Sequence, residues 1–239
     1  FYTFTDLSLK EPFQVRLITK GNQNAGLVFF DNLSINSAQG DFGTFEPNVS
    51  IVQKGQTLEG SDFYFQSALS ATGSVVAIGA TWNNQAGSRA GMVSVYSWDN
   101  NQWVQRSGSI FGEADYDRTG ARIDSNNDGD VIAIGSSQTI GVGPDAVGPG
   151  YVEVYEWTGS TWQRRGSRFN GNNLGDWANY AYLDGSGDLL AIGEAGYDGE
   201  GLDRGRIRVF RWDGSEWYQV GSALTGNVDG ERLGERAAQ

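Results

Sequence analysis

The feature that most restricts the fold is an internal repeat of roughly 55 residues. A short apolar run containing Ala-Ile-Gly occurs three times, at residues 75–80, 131–136 and 189–194. The runs start 56 and 58 residues apart. A run of this kind, ended by Gly, is typical of a strand that is buried on both faces. The repeat is therefore the unit from which the fold must be built.

A second element follows each run and predicts a hairpin. Segments 93–98, 152–157 and 207–212 partly alternate apolar and polar residues, as half-exposed strands do. Each ends at a Trp, and four turn residues separate that Trp from another one. A hairpin loop of four residues places its flanking residues opposite each other. We therefore expect three cross-strand tryptophan pairs: Trp98–Trp103, Trp157–Trp162 and Trp212–Trp217.

A Gly-containing linker closes each unit. The linkers are 55–60, 107–112, 166–171 and 221–226. With one strand before each apolar run, a unit has four strands; in the first copy they fall near 65–70, 75–80, 92–98 and 103–107. Four strands at this period indicate the blade of a β-propeller rather than a helical solenoid.

The sequence thus predicts an all-β chain with a partial β-propeller over residues 53–239. The four-stranded blades span about 60–112, 113–171 and 172–226, and a fourth begins at 227–239. About three and a half blades are too few for a ring, because propellers usually close with four to eight. We expect them to belong to a seven-bladed ring, completed by more of the same polypeptide or by other chains.

Residues 1–40 do not carry the repeat. Segments 13–19 and 26–35 read as two strands around a polar turn, and the second resembles the last strand of many extracellular β-sandwich modules. We expect residues 1–40 to be the C-terminal strands of such a module and 41–52 to be a linker. Because Phe1 already lies in strand-like sequence, we expect the protein to begin upstream of it.

The composition excludes several classes of chemistry. The chain has no Cys and no His, which excludes disulfides, thiolate nucleophiles, Ser-His-Asp catalysis and His-ligated zinc. A formal net charge of −12 disfavours nucleic acid and anionic lipid as partners. No apolar stretch approaches the length of a membrane-spanning helix, so we expect no direct membrane insertion.

The repeat resembles a known family. The residues that carry the resemblance are 69–73, 75–80, 110–113 and 117–120. They are similar to the FG-GAP-type repeat of the integrin α-subunit head, and closest to the variant found in large extracellular proteins of algae and bacteria. The Gly of its Phe-Gly pair appears as Gly120 and Gly234, whereas Gln66 and Tyr180 replace it in the other copies. The resemblance implies an extracellular or cell-surface adhesion module, in a homo- or hetero-oligomeric assembly with protein or glycan partners.

Integrin-type blades often bind calcium between their first two strands, and calcium is the one cofactor that the resemblance implies. Asp124, Asn126 and Asp128 place oxygen atoms at alternate positions of that loop, and Asp130 is a fourth candidate ligand. Such residues can converge on one hard cation. The ninth position of the family's pattern is Ile132, which cannot ligate. Two interpretations stay open: a calcium site, or a turn stabilised by an Asx side chain.

Two further sets of residues bear on function. Asn32 and Asn48 each stand two residues before a Ser and form N-glycosylation sequons, which are typical of secreted proteins. Carboxylates also precede the innermost strand of each blade, where a carbohydrate-active propeller would place a catalytic pair: Asp62, Asp115, Asp117 and Asp176. Because they recur in register, we interpret them as turn residues.

These observations predict a non-enzymatic extracellular structural or adhesion protein that uses its propeller as an interaction platform, within a filament or a cell-surface assembly. The variable loops before the third strand of each blade are the expected contact surface. Two alternatives are a carbohydrate-binding or carbohydrate-active propeller, and a calcium-dependent receptor head.

Overall fold

A computed structural model of the chain describes residues 53–58, 64–139 and 148–235. This part consists of strands and turns, and it contains no helix that could cross a membrane. The expected sandwich-like module at 1–40, the linker at 41–52 and the sequons Asn32 and Asn48 lie outside the described residues.

In the described residues, fifteen strands form three sheets, which we call blades 1 to 3. Blade 1 contains β1 (Tyr64–Leu69), β2 (Val75–Ala80), β3 (Met92–Asp99), β4 (Gln102–Gln105) and β5 (Ile110–Phe111). Blade 2 contains β6 (Thr119–Ser125), β7 (Val131–Ser136), β8 (Tyr151–Trp157), β9 (Trp162–Arg164) and β10 (Phe169–Asn170). Blade 3 contains β11 (Tyr180–Leu183), β12 (Leu189–Glu194), β13 (Arg206–Trp212), β14 (Trp217–Gln219) and β15 (Leu224–Thr225).

Each blade is an antiparallel meander with the apolar runs as its second strand. In blade 1 the order from the innermost strand outward is β1-β2-β3-β4, and blades 2 and 3 repeat it. The outermost position is divided: β4 pairs with the second half of β3, and β5 pairs with its first two residues. The sequence predicts one continuous strand there. The chain breaks it at Ser107, whose φ of 57° is incompatible with an extended strand. The all-β, four-stranded propeller blade is confirmed.

The tryptophan pairs form as predicted. Trp98 lies directly opposite Trp103, Trp157 opposite Trp162, and Trp212 opposite Trp217. Their ring centroids are 5.2, 5.3 and 5.4 Å apart in tilted or edge-on arrangements. Such pairs stabilise by about 0.5–1.5 kcal/mol beyond the burial of their surface. They therefore fix the outer hairpin of each blade.

Apolar side chains fill the space between successive blades. Val93 and Val95 of blade 1 pack in one core cluster with Ile132 and Ile134 of blade 2. A second cluster joins β8 of blade 2 to Leu190 and Ile192 of blade 3. Each fully buried side chain of this size contributes about 1.5–3 kcal/mol. The core of the molecule is thus a series of interfaces between blades.

The Gly of each Ala-Ile-Gly run marks the closest approach between blades. A Cβ on Gly79 would lie closer than 3.0 Å to the carbonyl oxygen of Gly120 in the next blade. A Cβ on Gly193 would be similarly close to the carbonyl oxygen of Gly234, and a Cβ on Gly135 to that of Asn179. The residue that takes this place in blade 3 is therefore Asn179, whereas the sequence alignment put Tyr180 there. A β-bulge in β6, which sheet pairing reveals, displaces the alignment.

Candidate binding face

Two sets of connections lie at one edge of the three sheets, and we call this edge the top face. The first set joins the second and third strands of each blade: 81–91, 137–150 and 195–205. The second set carries the chain from the outer strand of one blade to the inner strand of the next: 112–118, 171–179 and 226–232. Residues 140–147 lie outside the described part of this face.

A carboxylate closes the turn in each connection between blades. Asp117 Oδ2 accepts the backbone NH groups of Glu113 (3.0 Å) and Ala114 (2.9 Å). Asp176 does the same in the next connection, at 2.8 and 2.9 Å, and Glu231 in the third, at 2.7 and 3.2 Å. The two aspartates are 3 % exposed, so their charge depends on these donors. They act as turn residues, as their recurrence predicts.

Asp115, the other described aspartate of that set, points to a different partner. Asp115 Oδ1 accepts the backbone NH of Ser88 (2.8 Å), and Asp62 lies outside the described residues. The hydroxyl of Tyr151 donates to Asp117 Oδ2 (2.9 Å). Burial, with a smaller contribution from the charge of Asp117, raises the pKa of Tyr151 above its usual range. The phenol therefore stays protonated and holds the carboxylate in place.

Backbone hydrogen bonds fix the two sets of connections to each other. Thr119 donates its NH to the carbonyl of Ala90 (2.9 Å), Ala178 to that of Pro149 (2.9 Å) and Leu233 to that of Arg204 (3.0 Å). The three bonds occupy equivalent positions in the three copies. The described part of the top face is thus built on ordered backbone, which suits it to present side chains in defined positions.

The top face exposes apolar side chains. Among the described residues, four large apolar side chains are more than 60 % exposed, and three of these lie on this face: Leu174 at 76 %, Leu202 at 64 % and Val228 at 66 %. The fourth, Leu224, lies on β15. Concentration of exposed apolar residues on one face is typical of a contact surface.

Two equivalent positions on the top face differ in charge. Arg232 donates its backbone NH to the carbonyl of Asp203 (3.0 Å), and its guanidinium lies 3.1 Å from the carboxylate of Asp203. Arg118 donates its NH to the carbonyl of Arg89 (3.1 Å) in the same way. Backbone conformation also matches, with φ of 49° at both Arg89 and Asp203. Arg89 and Arg118 therefore put two guanidinium groups at the position where Asp203 and Arg232 form an ion pair.

Trp82 lies beside Arg89. The guanidinium carbon of Arg89 is 4.9 Å from the centroid of the Trp82 ring, and Trp82 is 41 % exposed. Burial lowers the pKa of Arg118, and the charge of Arg89 lowers it further. Sequence reasoning missed these three residues. An alignment of the repeat copies could have identified the two arginines, because it places Arg89 at the position of Asp203.

The acidic loop at 195–205 is a tight turn. Asp198 Oδ1 accepts the backbone NH of Asp203 (3.0 Å), and Arg206 stacks on Tyr197 at 3.9 Å. Glu200 is exposed. Asp198 thus stabilises the turn, and Asp203 pairs with Arg232.

The candidate calcium ligands lie at the opposite edge of blade 2. Asn126 Oδ1 accepts the backbone NH groups of Asp130 and Val131, both at 3.1 Å, and its amide donates to Asp130 Oδ1 (2.6 Å). Asp124 Oδ2 accepts the NH of Leu183 in blade 3 (2.7 Å). Asp128 is exposed. Within the described residues, no group of three or more acidic side chains is arranged to hold a metal ion. The loop has the geometry of an Asx-stabilised turn, and calcium binding stays a prediction of the resemblance.

Equivalent side chains make the same turn in the other blades. Ser70 Oγ accepts the NH of Val75 (3.0 Å), and Asp184 Oδ1 accepts that of Leu189 (3.0 Å). Burial acts to raise the pKa of Asp184, but the hydrogen bonds from Leu189, Ser186 and Asp188 outweigh it and hold the pKa below its usual value. The shared role of these positions is to start the second strand.

Comparison with known proteins gives structural likeness at low sequence identity. No protein-family model and no curated protein matches the chain. Sqt1 of Saccharomyces cerevisiae aligns with 71 % of this chain and 36 % of its own, at 12 % identity and a TM-score of 0.43. The β-propeller domain of the Trilobed protease from Pyrococcus furiosus aligns with 69 % of this chain and 43 % of its own, at 11 % identity and a TM-score of 0.40. The tricorn protease aligns with 76 % of this chain and 18 % of its own, at 12 % identity and a TM-score of 0.40. The chain thus spans less than half the length of each of these proteins.

Proposed function

We propose that the chain is a non-enzymatic structural or adhesion protein of the extracellular space or cell surface, whose blades are of the FG-GAP type and whose top face is the interaction platform. The observation that carries the proposal is the exposure of Leu174, Leu202 and Val228 on a rigid set of connections. Exposed apolar side chains on ordered backbone bind a partner with little loss of conformational entropy.

The polar residues of the top face support a binding role over a catalytic one. Asp117 and Asp176 are buried and accept backbone NH groups, so neither presents a carboxylate to a substrate. A glycosidase needs two such carboxyl groups on either side of the scissile bond. The proposed partners are proteins or glycans of the surrounding matrix, in an oligomeric assembly.

The test compares binding by two triple variants of the 239-residue chain. In the first, Leu174, Leu202 and Val228 are each changed to Asp. In the second, Val104, Tyr218 and Leu69, which are 41–48 % exposed away from the top face, are each changed to Asp. Beads coated with each protein are incubated with extracellular-matrix components on a surface. We expect the first variant to lose adhesion and the second to keep it; equal adhesion by both contradicts the proposal.

A panel of chromogenic glycosides tests the enzymatic alternative. We expect no turnover. If the chain does hydrolyse a glycoside, and an Asp117→Asn variant of unchanged thermal stability does not, the proposal of a non-enzymatic role is wrong. The chain would then be a carbohydrate-active enzyme.

A further inference from the structure

We propose that Arg89, Arg118 and Trp82 form a binding site for one acidic sugar, whose carboxylate or sulfate group lies between the two guanidinium groups. The proposal rests on the proposed function, because it assigns a ligand class to the top face. It concerns a different group of side chains from the exposed apolar residues, so the two can fail separately.

The first argument comes from the repeated positions. In the third copy, Asp203 supplies the carboxylate that neutralises Arg232. In the first copy the residue equivalent to Asp203 is Arg89, and among the described residues neither Arg89 nor Arg118 has a carboxylate within ion-pair distance. Two neighbouring cations destabilise each other unless an anion joins them. A bound oxyanion would take the place that the carboxylate of Asp203 takes in the third copy.

The second argument concerns a buried donor without a partner. Arg118 Nε is buried and has no hydrogen-bond acceptor in the described structure. A buried unsatisfied N–H is uncommon in folded proteins and calls for a ligand, an ion or water. Guanidinium groups bind carboxylate, sulfate and phosphate with paired hydrogen bonds. The unsatisfied donor and the missing counter-charge belong to the same side chain.

The carboxylates nearest in sequence have other partners. Asp115 Oδ1 accepts the NH of Ser88, and Asp117 Oδ2 accepts two backbone NH groups and the hydroxyl of Tyr151. Turning either toward Arg118 would open a turn of the top face. Neither of these carboxylates, nor any other carboxylate of the described residues, is therefore placed to neutralise the two arginines.

Trp82 and the net charge indicate the kind of anion. The partly exposed indole lies against Arg89, and Asn84 orders both residues: its Oδ1 accepts the NH of Arg89 (2.8 Å) and its amide donates to the carbonyl of Trp82 (3.0 Å). An ordered aromatic ring beside convergent polar groups is typical of a small-ligand site. Because the chain carries a net charge of −12, a densely charged polyanion is repelled. A single acidic sugar on an otherwise neutral glycan offers a ring to contact Trp82 and only one negative charge.

The experiment uses isothermal titration calorimetry on the whole 239-residue chain at low ionic strength. The ligands are methyl β-glucuronide, its neutral counterpart methyl β-glucoside, and sodium sulfate. We expect the glucuronide to bind at least about tenfold more tightly than the glucoside, since charge-assisted hydrogen bonds to two guanidinium groups exceed the 1.4 kcal/mol that tenfold requires. Equal affinity for the two glycosides would overturn the proposal.

Arg89→Asp is the decisive variant, because it recreates at Arg118 the arrangement that Asp203 and Arg232 already have. We expect an unchanged or higher melting temperature together with loss of glucuronide binding by at least about tenfold. Arg211→Asp is the matched control: it makes the same charge change at an exposed site on β13 and should bind the glucuronide as the unmodified chain does. Undiminished binding by Arg89→Asp contradicts the site.

Trp82→Ala and sodium sulfate together test the sugar. We expect this variant to bind the glucuronide several-fold more weakly and inorganic sulfate with unchanged affinity. If sulfate binds as tightly as the glucuronide and Trp82→Ala changes neither affinity, the site is for a free inorganic anion and the sugar is excluded. The triple apolar variant of the adhesion test retains Arg89 and Arg118, so loss of adhesion there leaves this titration informative.

Discussion

At the scale of single residues, backbone conformation repeats even where the side chain changes. The first turn residue of each linker is Gly55, Gly166 and Gly221 in three copies, and Ser107 in the other. All four have positive φ, 57° at Ser107 and 72–77° at the glycines. The left-handed region costs an L side chain roughly 1–2 kcal/mol. Ser107 thus keeps a conformation that suits Gly.

The serine coincides with a defect in the neighbouring hairpin. Trp103 donates its indole NH to the carbonyl of Lys54 (3.3 Å), and Trp217 donates to that of Arg165 (2.8 Å). Trp162 is the equivalent residue of blade 2, and its buried indole NH has no partner in the described structure. A Cβ on Gly166 would lie closer than 3.0 Å to the Trp217 ring. We infer that the Ser107 side chain keeps Trp162 from the position that its two counterparts take.

Ser107→Gly is therefore expected to raise the free energy of unfolding by about 1 kcal/mol. Relief of left-handed strain (roughly 1–2 kcal/mol) and a new indole hydrogen bond (about 1 kcal/mol) together exceed the added entropy of the unfolded chain (up to about 1 kcal/mol). Urea unfolding followed by tryptophan fluorescence measures it. Gly221→Ser is the control, because its φ is 72° and no atom lies within 4 Å of the new Cβ; it should lower stability by about 1 kcal/mol. A Ser107→Gly variant no more stable than the unmodified chain would refute this account of Trp162.

At the scale of elements, the packing of one blade on the next depends on a glycine in each second strand. Gly135→Ala would place a Cβ closer than 3.0 Å to the backbone carbonyl of Asn179, which cannot move without its blade. We expect the free energy of unfolding to fall by about 1–3 kcal/mol, the usual cost of overpacking. Gly108→Ala is the matched control, since nothing lies within 4 Å of its Cβ, and its effect should stay within about 0.5 kcal/mol. Equal effects would mean that the blades do not approach closely at Gly135.

Local patterns in the sequence predict the elements that depend on local interactions. The second strands lie at Val75–Ala80, Val131–Ser136 and Leu189–Glu194, the bounds of the three apolar runs. The tryptophan hairpins also follow, because loop length determines which residues face each other. Two-residue strands such as β5 and β10 have no periodicity to detect. The bulge in β6 misaligned Tyr180, because an inserted residue is visible only in the pairing of two strands.

The candidate site was less predictable than the strands, for a related reason. The approach of Arg118 to Arg89 depends on a backbone hydrogen bond between two connections of different blades. Charge counts and motifs depend on residues that are close in the sequence, and no such local pattern distinguishes Arg89 or Arg118. Only an alignment of the repeat copies could have indicated this contact, because it makes Arg89 equivalent to Asp203 and Arg118 equivalent to Arg232. The calcium motif shows the converse: Asp124 and Asn126 stand at alternate positions in the sequence but accept hydrogen bonds from different partners in the folded loop.

At the scale of the whole molecule, one face of the blade is covered in blade 2 and uncovered in blade 3. Val152 and Val154 of blade 2 are 0 % exposed, because blade 3 covers them. Their equivalents in blade 3, Ile207 and Val209, are only half-buried. Leu224 is 62 % exposed, whereas its equivalent in blade 1, Ile110, is 8 % exposed. The far face of blade 3 thus has the composition of a blade interface, and we expect a further blade to cover it.

The 239-residue chain should therefore bind a dye such as anilinonaphthalene sulfonate and self-associate through the far face of blade 3. Val209→Lys combined with Leu224→Lys should abolish both without unfolding the protein, because these side chains lie on an uncovered face. Val154→Lys is the control at the homologous covered position, and it should unfold the protein, because it places a charge between two blades. Sedimentation velocity, dye fluorescence and circular dichroism measure the three effects. The prediction is wrong if the unmodified chain is a monomer that binds no dye and the double substitution changes neither property. The far face of blade 3 would then need no further blade to cover it.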